Sequence, residues 1–234
     1  MKQNFFEAGR LDACIVDLDG TMVDTLGDFE VALNAMLTDL SLPAVDRITI
    51  ARMVGKGSEH LIRSVLDHVL ALCGPAAGTA PVQALYARAW PLYQSHYLAI
   101  NGQHSVVYPG VVQGLERLRS QGLKLACLTN KPTDFARPLL CAKGLDGYFS
   151  CVFGGDAFER KKPDPLPLRK TCEALGTLPA RTLMVGDSSN DARAARAAGC
   201  PVVLVTYGYN HGESVRSVDA DAFVDSLAAL QIGY

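Results

Sequence analysis

The chain has no surplus of either charge. Its 22 lysines and arginines stand against 24 aspartates and glutamates, a formal net charge of -2. That balance argues against nucleic acid or an anionic membrane as a principal partner. No apolar run approaches the ~20 residues that a membrane span requires, and Met1 to Arg10 lacks the basic-then-apolar order of a secretion signal. Seven cysteines are present, an odd number, and no two of them form a CxxC pair. Several sit in apolar runs, as in Ala126-Cys127-Leu128. The expectation is buried thiols in a reducing compartment, in place of a disulfide framework or a cysteine metal site. Internal repeats and low-complexity segments are also missing. These absences leave an ordinary globular chain, expected to be soluble and cytoplasmic, with 49% hydrophobic and 20% charged residues.

What is present is a recurring unit. Short apolar runs closed by turn residues read as buried strands at Leu11–Val16, Leu123–Leu128, Phe149–Phe153, Thr182–Val185 and Val202–Val205. Between them lie helical patterns over Val111–Gln121, Asp134–Lys143, Pro165–Leu175 and Asp191–Ala198. Gly122, Gly144, Gly176 and Gly199 stop these helices. Strands alternating with helices predict an α/β fold, a Rossmann-like parallel sheet with helices on both faces. The interval 24–108 breaks the rhythm with helical patterns only, at Asp28–Leu40, Ser58–Leu72 and Pro81–Leu98, separated by Gly55-Lys56-Gly57 and Gly74–Gly78. It reads as an all-α insert, a cap, between a core made of residues 1–23 and 109–234. In such sheets ligands bind beyond the carboxyl ends of the strands, so motifs at those ends should share one cleft under the insert.

The motifs lie where that rule requires. Asp17-Leu18-Asp19-Gly20-Thr21 follows the first strand. One carboxylate can attack phosphorus, and the other can protonate the leaving oxygen and later activate water. Taken alone, the same residues also suit a solvated turn. Gly186-Asp187-Ser188-Ser189-Asn190-Asp191 ends another strand and opens a helix. An attacking carboxylate and a phosphate dianion repel each other, and Mg²⁺ on Asp17 and Asp187 fits that need. Asp191 is either a further ligand or an acid that orients water and Lys162; the segment is also an ordinary helix N-cap. Thr129 and Asn130 offer a hydroxyl and an amide to phosphate oxygens. Lys162, ahead of Pro163, can project a cation among the clustered carboxylates.

These four signatures, in this order, resemble those of the haloacid dehalogenase superfamily with an α-helical cap after the first strand. A closer likeness, to the bacterial phosphoglycolate phosphatases, is carried by Tyr108-Pro109-Gly110, Thr129-Asn130-Lys131-Pro132, Lys161-Lys162-Pro163-Asp164-Pro165 and Tyr207-Gly208-Tyr209-Asn210-His211-Gly212. The resemblance implies hydrolysis of 2-phosphoglycolate, a small phosphorylated metabolite. It implies Asp17 as nucleophile and metal ligand, and Asp19 as acid and base with its carbonyl on Mg²⁺. It further implies Asp187 as metal ligand, and phosphate binding by Thr129, Asn130 and Lys162. It leaves open a monomer or a homodimer. The chain departs from the family at Val54-Gly55-Lys56-Gly57, where the family usually has asparagine in place of Lys56. Lys56 is therefore expected to attract a substrate carboxylate, or to stand solvated in a glycine turn. His211 is expected to anchor its loop, and Trp90, Tyr93 and Tyr97, at helical spacing, to fill the core of the insert. A sugar phosphate, nucleotide or pyrophosphate as substrate, mutase chemistry, and a non-catalytic binder are the competing readings.

Overall fold

The computed structural model describes residues 11–73 and 82–232. Met1–Arg10, the Gly74–Gly78 break and the Pro81 start expected for the third helix of the insert lie outside the described residues. The chain runs through β1 (Ala13–Val16), β2 (Val23–Asp24), α1 (Leu26–Asp39), α2 (Arg47–Ala51), α3 (Ser58–Cys73) and α4 (Val82–Ile100). It continues through β3 (Val106–Val107), α5 (Val111–Ser120), β4 (Lys124–Leu128), α6 (Thr133–Ala142) and β5 (Cys151–Phe153). The last elements are α7 (Leu166–Leu175), β6 (Thr182–Gly186), α8 (Ser189–Ala198), β7 (Val202–Val205) and β8 (Ala222–Val224).

Six strands form one sheet in the order β5-β4-β1-β6-β7-β8, every pairing parallel. The expected α/β sheet is thus present, with β1 at its centre. All four residues of β1 are fully buried. Because successive side chains of a strand point to opposite faces, Cys14 and Val16 join one apolar cluster while Ala13 and Ile15 join the other. A strand buried on both faces cannot alternate apolar with polar residues, which is why it reads as a continuous apolar run. Gly176 and Gly199 end α7 and α8 in left-handed backbone, as their positions after the last apolar residue predict.

Helices α1 to α4 gather around a cluster of their own, with Leu33, Met36, Ile62, Leu66, Tyr93 and Tyr97 fully buried. The leucine, isoleucine and methionine side chains among these contribute about 1.5–3 kcal/mol each on leaving water. Two residues from elsewhere enter this cluster: Phe135 of α6 and Tyr209 beyond β7. The entry and exit of the helical segment are tied together. Strands β2 and β3 pair antiparallel, and the buried carboxylate of Asp28 accepts from the backbone N–H groups of Gly102 and His104, both at 2.7 Å, and from the Ser105 hydroxyl.

The sequence pattern misses α2, the β2–β3 pair and β8. Two residues cannot display a period, and five give α2 little more than one turn. That turn is held by its cap, the Asp46 side chain accepting from the Thr49 N–H at 2.9 Å.

Candidate active site

Asp17 is the first residue past β1. Its own N–H donates to the Val185 carbonyl of β6, which continues the sheet pairing one residue further and fixes the backbone. Its Oδ1 accepts from the Leu18 N–H at 2.8 Å and lies 3.0 Å from Lys162 Nζ. Its Oδ2 has no hydrogen-bond partner among the described residues. One oxygen is anchored and the other is free to act.

Lys162 is the cation of this floor, with its side chain 2% exposed. Its ammonium donates to the Leu128 carbonyl at 2.8 Å and to Asp191 Oδ1 at 2.7 Å, besides its contact with Asp17. Burial alone would lower its pKa, but Asp17 and Asp191 outweigh that and hold it above the ordinary lysine range. The Lys162–Pro163 peptide bond is cis.

Asp187, just past β6, and Asp191, on the first turn of α8, complete the acidic set. Ligand oxygens of Asp17, Asp187 and Asp191 lie within 4.8 Å of one another, and all three residues are buried. One buried lysine faces three clustered carboxylates. Burial, with Lys162 opposing and Asp191 adding to it, pushes Asp17 up to about 7. Burial, then Asp191 and Asp17, raises Asp187 well above the carboxylate range. An unmatched negative cluster of hard oxygens is a setting that a bound cation stabilises. Asp191 has little left to offer such a cation. Its Oδ1 takes Lys162, and its Oδ2 accepts from the Ser188 hydroxyl at 2.7 Å and the Ser188 N–H at 3.2 Å. Asp187 Oδ2 accepts from the Tyr209 N–H at 2.5 Å, while its Oδ1 has a 3.4 Å contact from the Thr21 hydroxyl. The open oxygens are therefore Asp17 Oδ2 and Asp187 Oδ1. Gly20 is required beside them: its φ is +80°, and a Cβ there would sit 2.1 Å from Asp187 Oδ2.

Asp17, Asp19, Thr129 and Asn130 line one cavity of about 20 Å³, room for about one water molecule. The loop carrying Gly55 and Gly57 closes it from the helical side. That loop is bolted down through the Gly55 carbonyl, which accepts from the Asn130 and Asn190 amides, each at 3.1 Å. Asn130 also donates to the Lys162 carbonyl at 2.8 Å, so its amide braces the floor. His211 packs against Gly55 and lies 3.3 Å from the Asn190 amide through Nε2.

Lys56 does not line this cavity. It stands exposed in an adjoining groove of about 520 Å³ with Glu59, His60, Arg63, Lys161 and Arg193, a groove that also reaches Lys162. Trp90 is half-buried at the edge of the helical cluster, whereas Tyr93 and Tyr97 are fully buried in it.

Pattern reading gave no role to Lys131. Its side chain is 1% exposed, and Nζ lies 3.0 Å and 3.4 Å from the two oxygens of Asp19. The same ammonium sits 4.5 Å from the Phe29 ring centre and 4.6 Å from that of Tyr97. Phe29 and Tyr97 come from α1 and α4, so this contact joins segments that local sequence does not connect. Only the position of Lys131, beside Thr129 and Asn130 at a strand end, signalled it.

A sequence model of the haloacid dehalogenase-like hydrolases matches residues 14–205. The chain belongs to that family. Among relatives, it is 43% identical over 218 residues to a phosphoglycolate phosphatase of Thiobacillus denitrificans, covering 93% of each chain. It is 44% identical over 218 residues to a plasmid-encoded phosphoglycolate phosphatase of Cupriavidus necator, covering 93% of this chain and 90% of that one. Its fold superposes on the crystal structure described as a predicted phosphoglycolate phosphatase from Haemophilus somnus. The TM-score is 0.87 at 34% identity, over 94% of this chain and 96% of that one. Among the described residues, no helix is long and apolar enough to cross a membrane.

Proposed function

We propose that this protein is a phosphatase that hydrolyses 2-phosphoglycolate to glycolate and phosphate through an aspartyl-phosphate on Asp17, with Mg²⁺ as cofactor. The observation that carries the chemistry is the state of Asp17: one oxygen held by Leu18 and Lys162, the other free, in a buried acidic cluster. The relatives' shared activity supports the substrate.

In this reading residues 1–23 and 109–234 carry the chemistry, and residues 24–108 cap it. The Asp17 carboxylate attacks phosphorus through one of its oxygens, and the P–O bond to the leaving group breaks. Asp19 gives its proton to the departing oxygen and then takes one from the water that attacks the aspartyl-phosphate, releasing phosphate and restoring Asp17. Lys162 balances the charge of Asp17 and fixes its direction, while Thr129 and Asn130 line the phosphate position. Asp17 and Asp187, with the Asp19 carbonyl, would hold the metal, which would supply positive charge to offset the clustered negative groups. Asp191 orients Lys162 and the turn at Ser188. A cavity of about 20 Å³ does not admit a phosphate ester, so the helical segment moves for substrate to enter.

A panel of small phosphate esters with Mg²⁺ tests the reading. The expected kcat/KM is highest for 2-phosphoglycolate; a higher value for a sugar phosphate, nucleotide or pyrophosphate would displace it. Asp17→Asn is expected to lower kcat by at least ~10⁴-fold with the fold retained. Appreciable remaining turnover would remove Asp17 as nucleophile.

A further inference from the structure

The two buried lysines of the site differ in one respect that bears on specificity. An ammonium has three N–H donors. Lys162 meets three acceptors, the Leu128 carbonyl, Asp191 and Asp17. Lys131 meets a single acceptor group, the Asp19 carboxylate. Its other near neighbours are the faces of Phe29 and Tyr97, which attract a cation without accepting a conventional hydrogen bond. Lys131 therefore retains donor capacity, and among the described residues lining the catalytic cavity it is the one cation.

Its place relative to the reaction is equally specific. Asp19 serves the leaving oxygen, and Lys131 Nζ is 3.0 Å from Asp19. The group carried by that oxygen is thus delivered beside Lys131, while phosphorus lies on the Asp17 side. In 2-phosphoglycolate a single methylene separates the ester oxygen from the carboxylate. Lys56, the lysine that sequence alone offers for this carboxylate, does not line the catalytic cavity.

We infer that Lys131 is the specificity-determining residue for an anionic leaving group, binding the substrate carboxylate within one carbon of the ester oxygen. The inference rests on the phosphatase reading above and deepens it. The incoming carboxylate shares or displaces the Asp19 contact on Lys131, so the ion that selects the substrate also releases the acid that serves it. Phe29 and Tyr97 belong to the helical segment, so the lysine has its full set of neighbours only when that segment is seated on the sheet. Recognition of the leaving group is thereby tied to closure. Burial makes the contact selective: a cation shielded from water discriminates strongly between a charged partner and a methyl group.

The measurement is the ratio of kcat/KM for 2-phosphoglycolate to that for ethyl phosphate, which carries a methyl group where the carboxylate stands. In the wild type this ratio is expected to be large. Lys131→Met, an unbranched side chain that fills the same aromatic cage, should reduce it by on the order of 10²-fold. Lys131→Arg, which keeps the charge, should retain most of it. Because the readout is a ratio within one variant, a smaller folded fraction lowers both rates alike and cancels. An unchanged ratio in Lys131→Met would overturn the inference and leave the phosphatase reading standing. A wild-type ratio near one would overturn both the inference and phosphoglycolate as substrate. Turnover of an aryl phosphate would still distinguish that result from a failure of the phosphatase chemistry itself.

Discussion

The floor and the wall of the catalytic cavity are built on opposite principles. On the floor, Lys162 is surrounded by oxygen: two carboxylates and a carbonyl within 3.0 Å. On the wall, Lys131 has one carboxylate and two aromatic faces. Asp17 and Asp187 stand just past the ends of the neighbouring parallel strands β1 and β6, so their spacing is set by the sheet, and Lys162 and Asp191 close in on them from the loop after β5 and the first turn of α8. The wall is assembled from α1, α4 and the loop after β4, whose approach depends on how helices pack. The rigid part holds the groups common to phosphoryl chemistry. In the proposed reading, the groups that meet the leaving group, Asp19 and Lys131, are also core residues, but the helical segment completes their surroundings with Phe29 and Tyr97.

The sharpest way to break this comparison is to remove each cation. Lys162→Met leaves two buried carboxylates, Asp17 and Asp191, without their counter-charge. Removing one partner of a buried pair costs about 3–5 kcal/mol, so denaturant titration should show a loss of that order, along with a kcat reduced by at least ~10²-fold. Lys131→Met deprives one carboxylate, Asp19, where Lys162→Met deprives two, of which Asp191 has a side chain only 1% exposed, and is expected to cost clearly less stability. Equal losses would show that floor and wall do not differ in this way.

A smaller effect is expected from pH. Asp17 is pushed up to about 7 in the folded protein from an ordinary 3.8. Between those values the native state holds a proton that the unfolded chain has released, so this group's contribution to stability falls as pH rises from 4 to 7. His60 and His211, lowered chiefly by burial, act in the opposite sense. The test is therefore differential. In metal-free protein, the stability of the wild type relative to Asp17→Asn should decrease over that interval. Stabilisation by added Mg²⁺ should grow over it, because the metal needs the ionised carboxylate. Parallel curves for the two proteins would remove the shift.

The smallest effect belongs to Lys56. Standing exposed among other cations, it acts on an approaching anion at long range. Lys56→Gln is expected to raise KM for 2-phosphoglycolate by about two- to threefold at low salt, with kcat nearly constant and the difference fading as screening increases. A large fall in kcat would place Lys56 at the reacting group and contradict its place outside the cavity lining.

The legibility of this protein follows the same division. Strand ends could be read because a strand buried on both faces must be apolar throughout and must stop in polar turn residues. Asp17, Thr129, Asn130 and Asp187 therefore announced themselves by position. The short elements β2, β3, α2 and β8 carried too few residues for a period. Lys131 was visible as a letter in Thr-Asn-Lys-Pro but not as a site residue, because its meaning lies in Phe29 and Tyr97, 102 and 34 positions away by their numbering. Lys56 kept two readings, substrate attraction or a solvated turn, for the converse reason. A loop near a cavity has two sides, and the backbone turn between Gly55 and Gly57 decides which side the lysine faces.

The sequence by itself determined the sheet, the helical insert and the acids of the floor, since apolar periodicity and motif spacing are local properties that a parallel sheet converts directly into position. The tertiary structure alone decided which lysine enters the cavity, which oxygens of the acidic cluster remain open, and how tightly the helical segment closes it. Those outcomes depend on burial and on contacts between segments far apart in the chain, and neither is written in the spacing of any one motif.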